Sequence, residues 1–235
     1  VVFMGMGEPA HNLDNVLEAI DLLGTQGGIA HKNLVLSTVG DVRVFERLMD
    51  ELSSSVRPEL VEGREDVHAS TGSARTASPK LTVRPALALS LHSTDDVLRA
   101  QLLPHAPRIA VAELVERAEA YARATHYPTQ YQWTLIEGVN DGDADLERIA
   151  ALLQGKYAIM NFIPFNPVDG LDFRRPSPER LARIVGTLKQ RGIVAQLRDS
   201  AGQEVEGACG QLRARAVKTK APAPLQPATT LEAAL

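Results

Sequence analysis

Residues 130–153, QYQWTLIEGVNDGDADLERIAALL, hold a β-rich run, a polar turn and then an amphipathic helix. The run at 130–137 is aromatic and β-branched, whereas Leu146, Ile149, Ala150 and Leu153 recur at i, i+3, i+4 and i+7 and form one apolar stripe. A strand followed by a helix is the unit of parallel sheets. Outward from this unit the alternation repeats. Strands are expected near 1–5, 33–38, 84–91, 157–163 and 193–198, six in all with 130–137. Helical stripes recur at Leu13, Val16, Leu17 and Ile20, and at Leu181, Ile184, Val185 and Leu188. Another helix over about 110–125 buries Val111, Leu114, Val115, Ala118 and Ala122, and one more ends near Leu52. Ser177-Pro178 supplies an N-cap with Pro at the first helical position. The fold class that follows is α/β, βα units around a parallel sheet.

Composition narrows the class. The 235 residues are 44% hydrophobic, 23% charged and 4% aromatic with one Cys, which argues against disorder, a disulfide scaffold or a collagen-like repeat. No apolar run approaches the roughly 20 residues of a membrane span, so a soluble chain is expected. A single Cys forms no internal disulfide, and a reducing, cytoplasmic setting is the simplest expectation. The net charge of -4 excludes a uniformly basic nucleic-acid binder but not a basic face. Residues 171–220 carry 11 Lys/Arg against 5 Asp/Glu, and residues 1–52 carry 3 against 8. That segregation suits either a polyanion-binding surface or a solvated helix face.

The polar residues fall at strand ends. Gly5-Met6-Gly7-Glu8, Ser37-Thr38, Ser90-Leu91-His92, Glu137, Asn166 and Arg198-Asp199 sit at or just beyond the C-terminal ends of the expected strands. In (β/α) barrels that edge carries the active site, although turn chemistry also favours Gly, Ser, Asn and Asp there. Glu8 is placed to accept hydrogen bonds from a ligand amine or ribose hydroxyls, or else to complement a helix N-terminus. His92 alone reads as structural. With Glu8, Ser37 and Asn166 around one mouth it joins a polar ligand-binding ring, and no His, Cys and carboxylate spacing makes a metal site. Pro164 and Pro167 bracket Asn166 and fix its amide, for recognition of a heteroaromatic edge or for a rigid turn. Cys209, in Glu206-Gly207-Ala208-Cys209-Gly210-Gln211, lies between glycines after the last strand. It is either an inert buried hydrophobe or, near the mouth, a nucleophile. An unrelated lyase or aldolase barrel would call for a catalytic Lys at a strand end, and the six strands hold none.

Residues 53–79, SSSVRPELVEGREDVHASTGSARTASP, break the alternation with neither helical nor strand period. A lid and an inserted surface loop are both open readings. The genetic code favours insertion: an allowed codon set for residues 69–76, reverse-complemented, encodes VRAEPVE, two conservative codon changes from VRPELVE at 56–62. The two arms resemble a translated inverted repeat of a mobile palindromic element, so a disordered acquired insert is expected at 53–79. A flexible, Pro- and Ala-rich tail is expected over 217–235.

Together Val2-Phe3-Met4-Gly5-Met6-Gly7-Glu8-Pro9, Leu36-Ser37-Thr38-Val39-Gly40, Leu89-Ser90-Leu91-His92, Ile163-Pro164-Phe165-Asn166-Pro167 and Ala208-Cys209-Gly210-Gln211-Leu212 resemble the RlmN/Cfr family. These are radical S-adenosylmethionine (SAM) methyltransferases acting on adenine in 23S ribosomal RNA and, for some members, tRNA. The likeness spans residues 1–216 apart from the insert and implies a partial (β/α) barrel of radical SAM type as the core. By matching positions, Gly7 and Glu8 would contact the SAM amino group, Ser37 and Ser90-Leu91-His92 would line its other side, and Asn166 would complete the site. Cys209 matches the Cys that becomes S-methylated. The methyl group then passes to carbon 2 of adenine by radical chemistry, with an electron donor such as flavodoxin. The family also uses a 4Fe-4S cluster held by CxxxCxxC, a resolving Cys and a catalytic Glu near its N-terminus, none of which this chain contains. The expectation is therefore a monomeric barrel lacking its first strand and N-terminal accessory domain, and inactive by itself. Its alternative is a remnant retaining at most SAM or RNA binding. Val39 stands where the family has Ser.

Overall fold

The computed structural model describes residues 1–4, 7–54, 81–167 and 171–198. One sheet contains β1 (Val2–Phe3), β2 (Val35–Thr38), β3 (Ala86–Ser90), β4 (Thr129–Leu135), β5 (Ala158–Pro164) and β6 (Ala195–Leu197), in chain order and with every neighbour parallel. The crossovers carry α1 (Leu13–Thr25), α2 (Val42–Ser54), α3 (Asp96–Leu102), α4 (Val111–Thr125) and α5 (Asp143–Leu153), and α6 (Pro178–Gln190) precedes β6. Parallel strands that never reverse order, joined by right-handed crossovers, place their helices on one face. This is the wall of a (β/α) barrel, with β1 and β6 as its edges.

That helical face is the core. Leu36, Leu87, Leu89, Tyr131, Trp133, Met160 and Phe162 pack against Leu17, Ile20, Leu114, Val115, Ile149 and Ile184. Burying each such aliphatic side chain contributes about 1.5–3 kcal/mol. The helical stripes read from the sequence are the stripes that pack here, and Ser177 caps α6 by accepting from the Arg180 N–H at 3.2 Å. On the opposite face, small apolar residues, Val35, Ala86 and Ala88, cluster with Tyr127. Toward the C-terminal strand ends that face turns polar.

Two elements depart from the sequence expectation. Helix α3 has no apolar stripe, because its buried residue is Arg99. The available signal was the cap: Asp95 accepts from the Leu98 N–H at 2.8 Å and Asp96 sits in the first turn. Second, α2 continues through Ser54, with the Ser53 hydroxyl donating to the Met49 carbonyl at 3.0 Å, so residues 53–54 are helical. The rest of 53–79, and the tail 217–235, lie outside the described residues. The flanks meet: the Leu81 N–H donates to Glu51 Oε2 at 2.9 Å, and the Thr82 and Val83 N–H groups donate to Asp21 Oδ1 at 2.7 and 3.0 Å. The chain re-enters beside the helix it left, the geometry that lets a long segment be accommodated at modest loop-closure cost.

Candidate functional site

The C-terminal ends of β1 to β4 are stitched into one rim. Glu8, just after β1, accepts from Thr38 Oγ1 at 2.6 Å, the Val39 N–H at 2.8 Å and, more weakly, the Ala10 N–H at 3.4 Å. Its carboxylate thus caps the 3-10 turn Pro9–His11 and ties β1 to β2. Charge-assisted hydrogen bonds of this kind are the strong ones. Two oxygens offer about four acceptor sites, so capacity remains for a ligand donor. Thr38 Oγ1 in turn accepts from the Gly40 N–H at 3.0 Å. At Gly40 φ is +98°, and a Cβ would stand 2.7 Å from Leu114 Cδ2, so the loop closes tightly onto α4 only with glycine there. Val39 contributes its backbone alone: its N–H goes to Glu8 and its carbonyl to Arg99. A Val in place of Ser leaves those bonds intact.

Arg99 is the second clamp. It is 3% exposed, and its Nη2 donates to the Val39 carbonyl and, at 3.3 Å, to the Ser90 carbonyl, joining the ends of β2 and β3. Burial pushes its pKa down, opposed by the Asp96 carboxylate. Nothing in the helix periodicity marks Arg99, since a buried cation looks like a surface residue in a hydrophobic pattern.

Beyond β3, Ser90 is half-buried, the Leu91 side chain lies in the core, and the Leu91 N–H donates to the Gln132 carbonyl at 2.9 Å. His92 adopts φ +60°, which turns the chain back toward β4. There its Nδ1 accepts from the Thr134 N–H at 2.9 Å, which fixes the tautomer with hydrogen on Nε2. Loss of solvent around the ring, with the nearby Arg99 charge, lowers its pKa to about 4. His92 is therefore neutral at pH 7. Asn140, 1% exposed, holds this corner: its Nδ2 donates to the carbonyls of His92 and Thr134 at 2.8 Å each, and its Oδ1 accepts from the Ile136 N–H at 2.8 Å. Sequence reading placed Thr38 at a strand end without a role and missed Arg99 and Asn140; each of the three makes at least one bond to a group 30 or more residues away.

The remaining candidates sit as follows. Gly7 is exposed, and a Cβ there would meet nothing within 4 Å, so its backbone is open to a ligand. Ser37 is 8% exposed. Asn166 follows β5, is 4% exposed, and its Oδ1 has no hydrogen-bond partner among the described residues. Gly5, Met6, Asp199 and Cys209 lie outside the described residues. Among the described residues no three His, Cys, Asp or Glu side chains converge as a metal site, and no helix is long and apolar enough to cross a membrane. The basic C-terminal third is partly consumed by pairing: Arg180 and Arg183 both bind Asp143, at 2.6 Å, and Arg191 binds Glu147, so these cations fasten α6 and its end to α5. The two guanidiniums hold the Asp143 carboxyl below the usual carboxylate range.

No family model matches the chain. It is 60% identical over 217 residues to a probable RNA methyltransferase of Methylibium petroleiphilum, covering 92% of this chain and 53% of that protein. It is 59% identical over 218 residues to a probable RNA methyltransferase of an Azoarcus species, covering 93% and 54%. The chain thus spans about half the length of the curated relatives it matches. Among solved structures it resembles a radical SAM methyltransferase from Sphaerobacter thermophilus, with TM-score 0.72 and 33% identity over 91% of this chain and 54% of that one. A domain of a pyruvate-formate lyase-activating enzyme from Bacteroides vulgatus shares the fold, with TM-score 0.56 and 18% identity over 84% and 98% of the two chains.

Proposed function

We propose that this chain is the SAM-binding barrel portion of a radical SAM RNA methyltransferase of the RlmN/Cfr type, acting on carbon 2 of adenine in 23S ribosomal RNA and in tRNA. The observation that carries the proposal is the likeness to probable RNA methyltransferases at about 60% identity along 92% of the chain. The rim supports it independently, because Glu8, Ser37, Ser90 to His92 and Asn166 stand at the C-terminal ends of β1, β2, β3 and β5. SAM brings a cationic amine, a ribose and a heteroaromatic ring. The residues present fit it: a carboxylate with acceptor capacity at Glu8, an unobstructed backbone at Gly7, and a buried, unpartnered amide oxygen at Asn166.

A 4Fe-4S cluster does not fit the residues of this chain. One Cys is available where three thiolates are needed, so no step is assigned through a cluster, and the chain alone is expected to be inactive. Cys209 is the proposed methyl carrier. Bound SAM would supply the methyl group, and the Cys209 thiolate would be its acceptor, with S-adenosylhomocysteine as the leaving group. Gly207 and Gly210 flank Cys209 in the sequence, and glycine restricts a backbone least.

Mass spectrometry of ribosomal and transfer RNA from a strain lacking the gene tests the activity: loss of 2-methyladenosine is expected, and an unchanged methylation profile would overturn it. In the complete enzyme, Cys209→Ala is expected to abolish methyl transfer to RNA.

A further inference from the structure

Level with Ser90, the helix-free face of the sheet carries a row of carboxamides. Gln132 is in register with Ser90 on one side and Asn161 on the other, and Asn161 is in register with Gln196. Adjacent strands lie about 4.8 Å apart and paired residues project to the same face, so these side chains stand abreast, three positions below the ends of β4 and β5. Gln132 and Asn161 are 2% and 0% exposed. Their hydrogen-bonding capacity is half used: Gln196 Nε2 donates to Asn161 Oδ1 at 2.6 Å, and Gln132 Nε2 reaches the Gln130 carbonyl at 3.4 Å. Among the described residues Gln132 Oε1 and Asn161 Nδ2 have no partner, and neither does Asn166 Oδ1 at the rim above. Buried polar groups without partners are uncommon because leaving them unpaired is costly.

From this we infer that Gln132 and Asn161 read the edge of an adenine ring held in the barrel mouth. An unpartnered acceptor and an unpartnered donor are carried on paired positions of adjacent strands, so the matching ligand is neutral and planar with a donor beside an acceptor. Adenine presents its amino N–H next to ring N1, and a phosphate or carboxylate has no such donor. A single Asn or Gln reads the N6 and N7 edge of adenine in the DNA major groove; here the acceptor and the donor come from two carboxamides and match the amino group and N1. The inference rests on the proposed function, which brings two adenines to this mouth, one in SAM and one in the RNA. A ring whose position is fixed by its sugar has both groups reversed when the amino group becomes an oxo group. Hypoxanthine is therefore the discriminating probe.

Calorimetric titration of the complete polypeptide measures binding of SAM against its hypoxanthine counterpart, and of two short RNAs differing by one adenosine-to-inosine change. Adenine is expected to bind roughly 5- to 150-fold more tightly in one of the two pairs, and the pair that discriminates identifies the source of the ring. Asn161→Asp, which loses the donor, is expected to bring that ratio to within about twofold, whereas Gln132→Glu keeps its acceptor and the preference. Equal binding of both bases in both pairs, with SAM still bound, overturns the inference and leaves the proposed function standing. Binding of neither SAM nor RNA overturns both. If Asn161→Asp fails to fold by circular dichroism, the wild-type ratios alone decide.

Discussion

The neutral state of His92 sets a pH dependence that can be measured directly. In the fold its pKa is about 4, against an ordinary value of 6.5, because burial of the ring disfavours the cation. Between those values the unfolded chain binds a proton that the native chain refuses, so stability falls as pH drops below 6.5. Linkage gives a loss on the order of 1 kcal/mol at pH 5.5 and on the order of 2–3 kcal/mol at pH 4.5. Urea unfolding followed by circular dichroism at pH 4.5, 5.5, 6.5 and 7.5 would show the loss. The control is His92→Asn, since Asn tolerates the left-handed φ of +60°. It is expected to cost about 1 kcal/mol at pH 7.5 through the weakened bond to the Thr134 N–H, and to flatten the acid limb. Carboxylates elsewhere titrate equally in both proteins and cancel in the difference. Parallel curves for the two proteins from pH 6.5 to 4.5 would refute the desolvated-imidazole account.

Other consequences are equally open to measurement. Asn140→Ala leaves the His92 and Thr134 carbonyls and the Ile136 N–H without the partners they have now; at about 1–3 kcal/mol per unmet buried group, a loss of about 3 kcal/mol or more is expected in chemical denaturation. Glu8→Ala removes the acceptor shared by Thr38 and Val39 and is expected to destabilise by about 2 kcal/mol, with Glu8→Gln intermediate in thermal midpoint. Gly40→Ala meets both an unfavourable φ and Leu114, and a destabilisation above about 1 kcal/mol should be seen in the same assay. Replacing residues 55–80 by about six Gly/Ser residues is expected to preserve the circular dichroism spectrum and raise stability by about 1 kcal/mol through the shorter loop; failure of that variant to fold would show that the segment is integral to the barrel.

What the sequence alone determined is the architecture and the edge that matters. Periods of 2 and 3.6 residues are local properties, so the six strands and the helices with apolar stripes, such as Leu146 to Leu153, were legible, and so was the placement of Glu8, Ser37, Ser90, His92 and Asn166 at strand exits. Helix α3 was not legible, because the side chain it buries is Arg99. Register was not legible either. That Glu8 reaches Thr38 and Val39, that Asn140 holds the turn at His92, and that Gln132 stands beside Asn161 depend on how distant strands align. A one-residue slip would send every one of those side chains to the other face, and the alignment follows from packing the whole helical face at once. The chain's own letters name the polar residues of the mouth; only the tertiary structure decides which of them are spent on one another and which remain for a ligand.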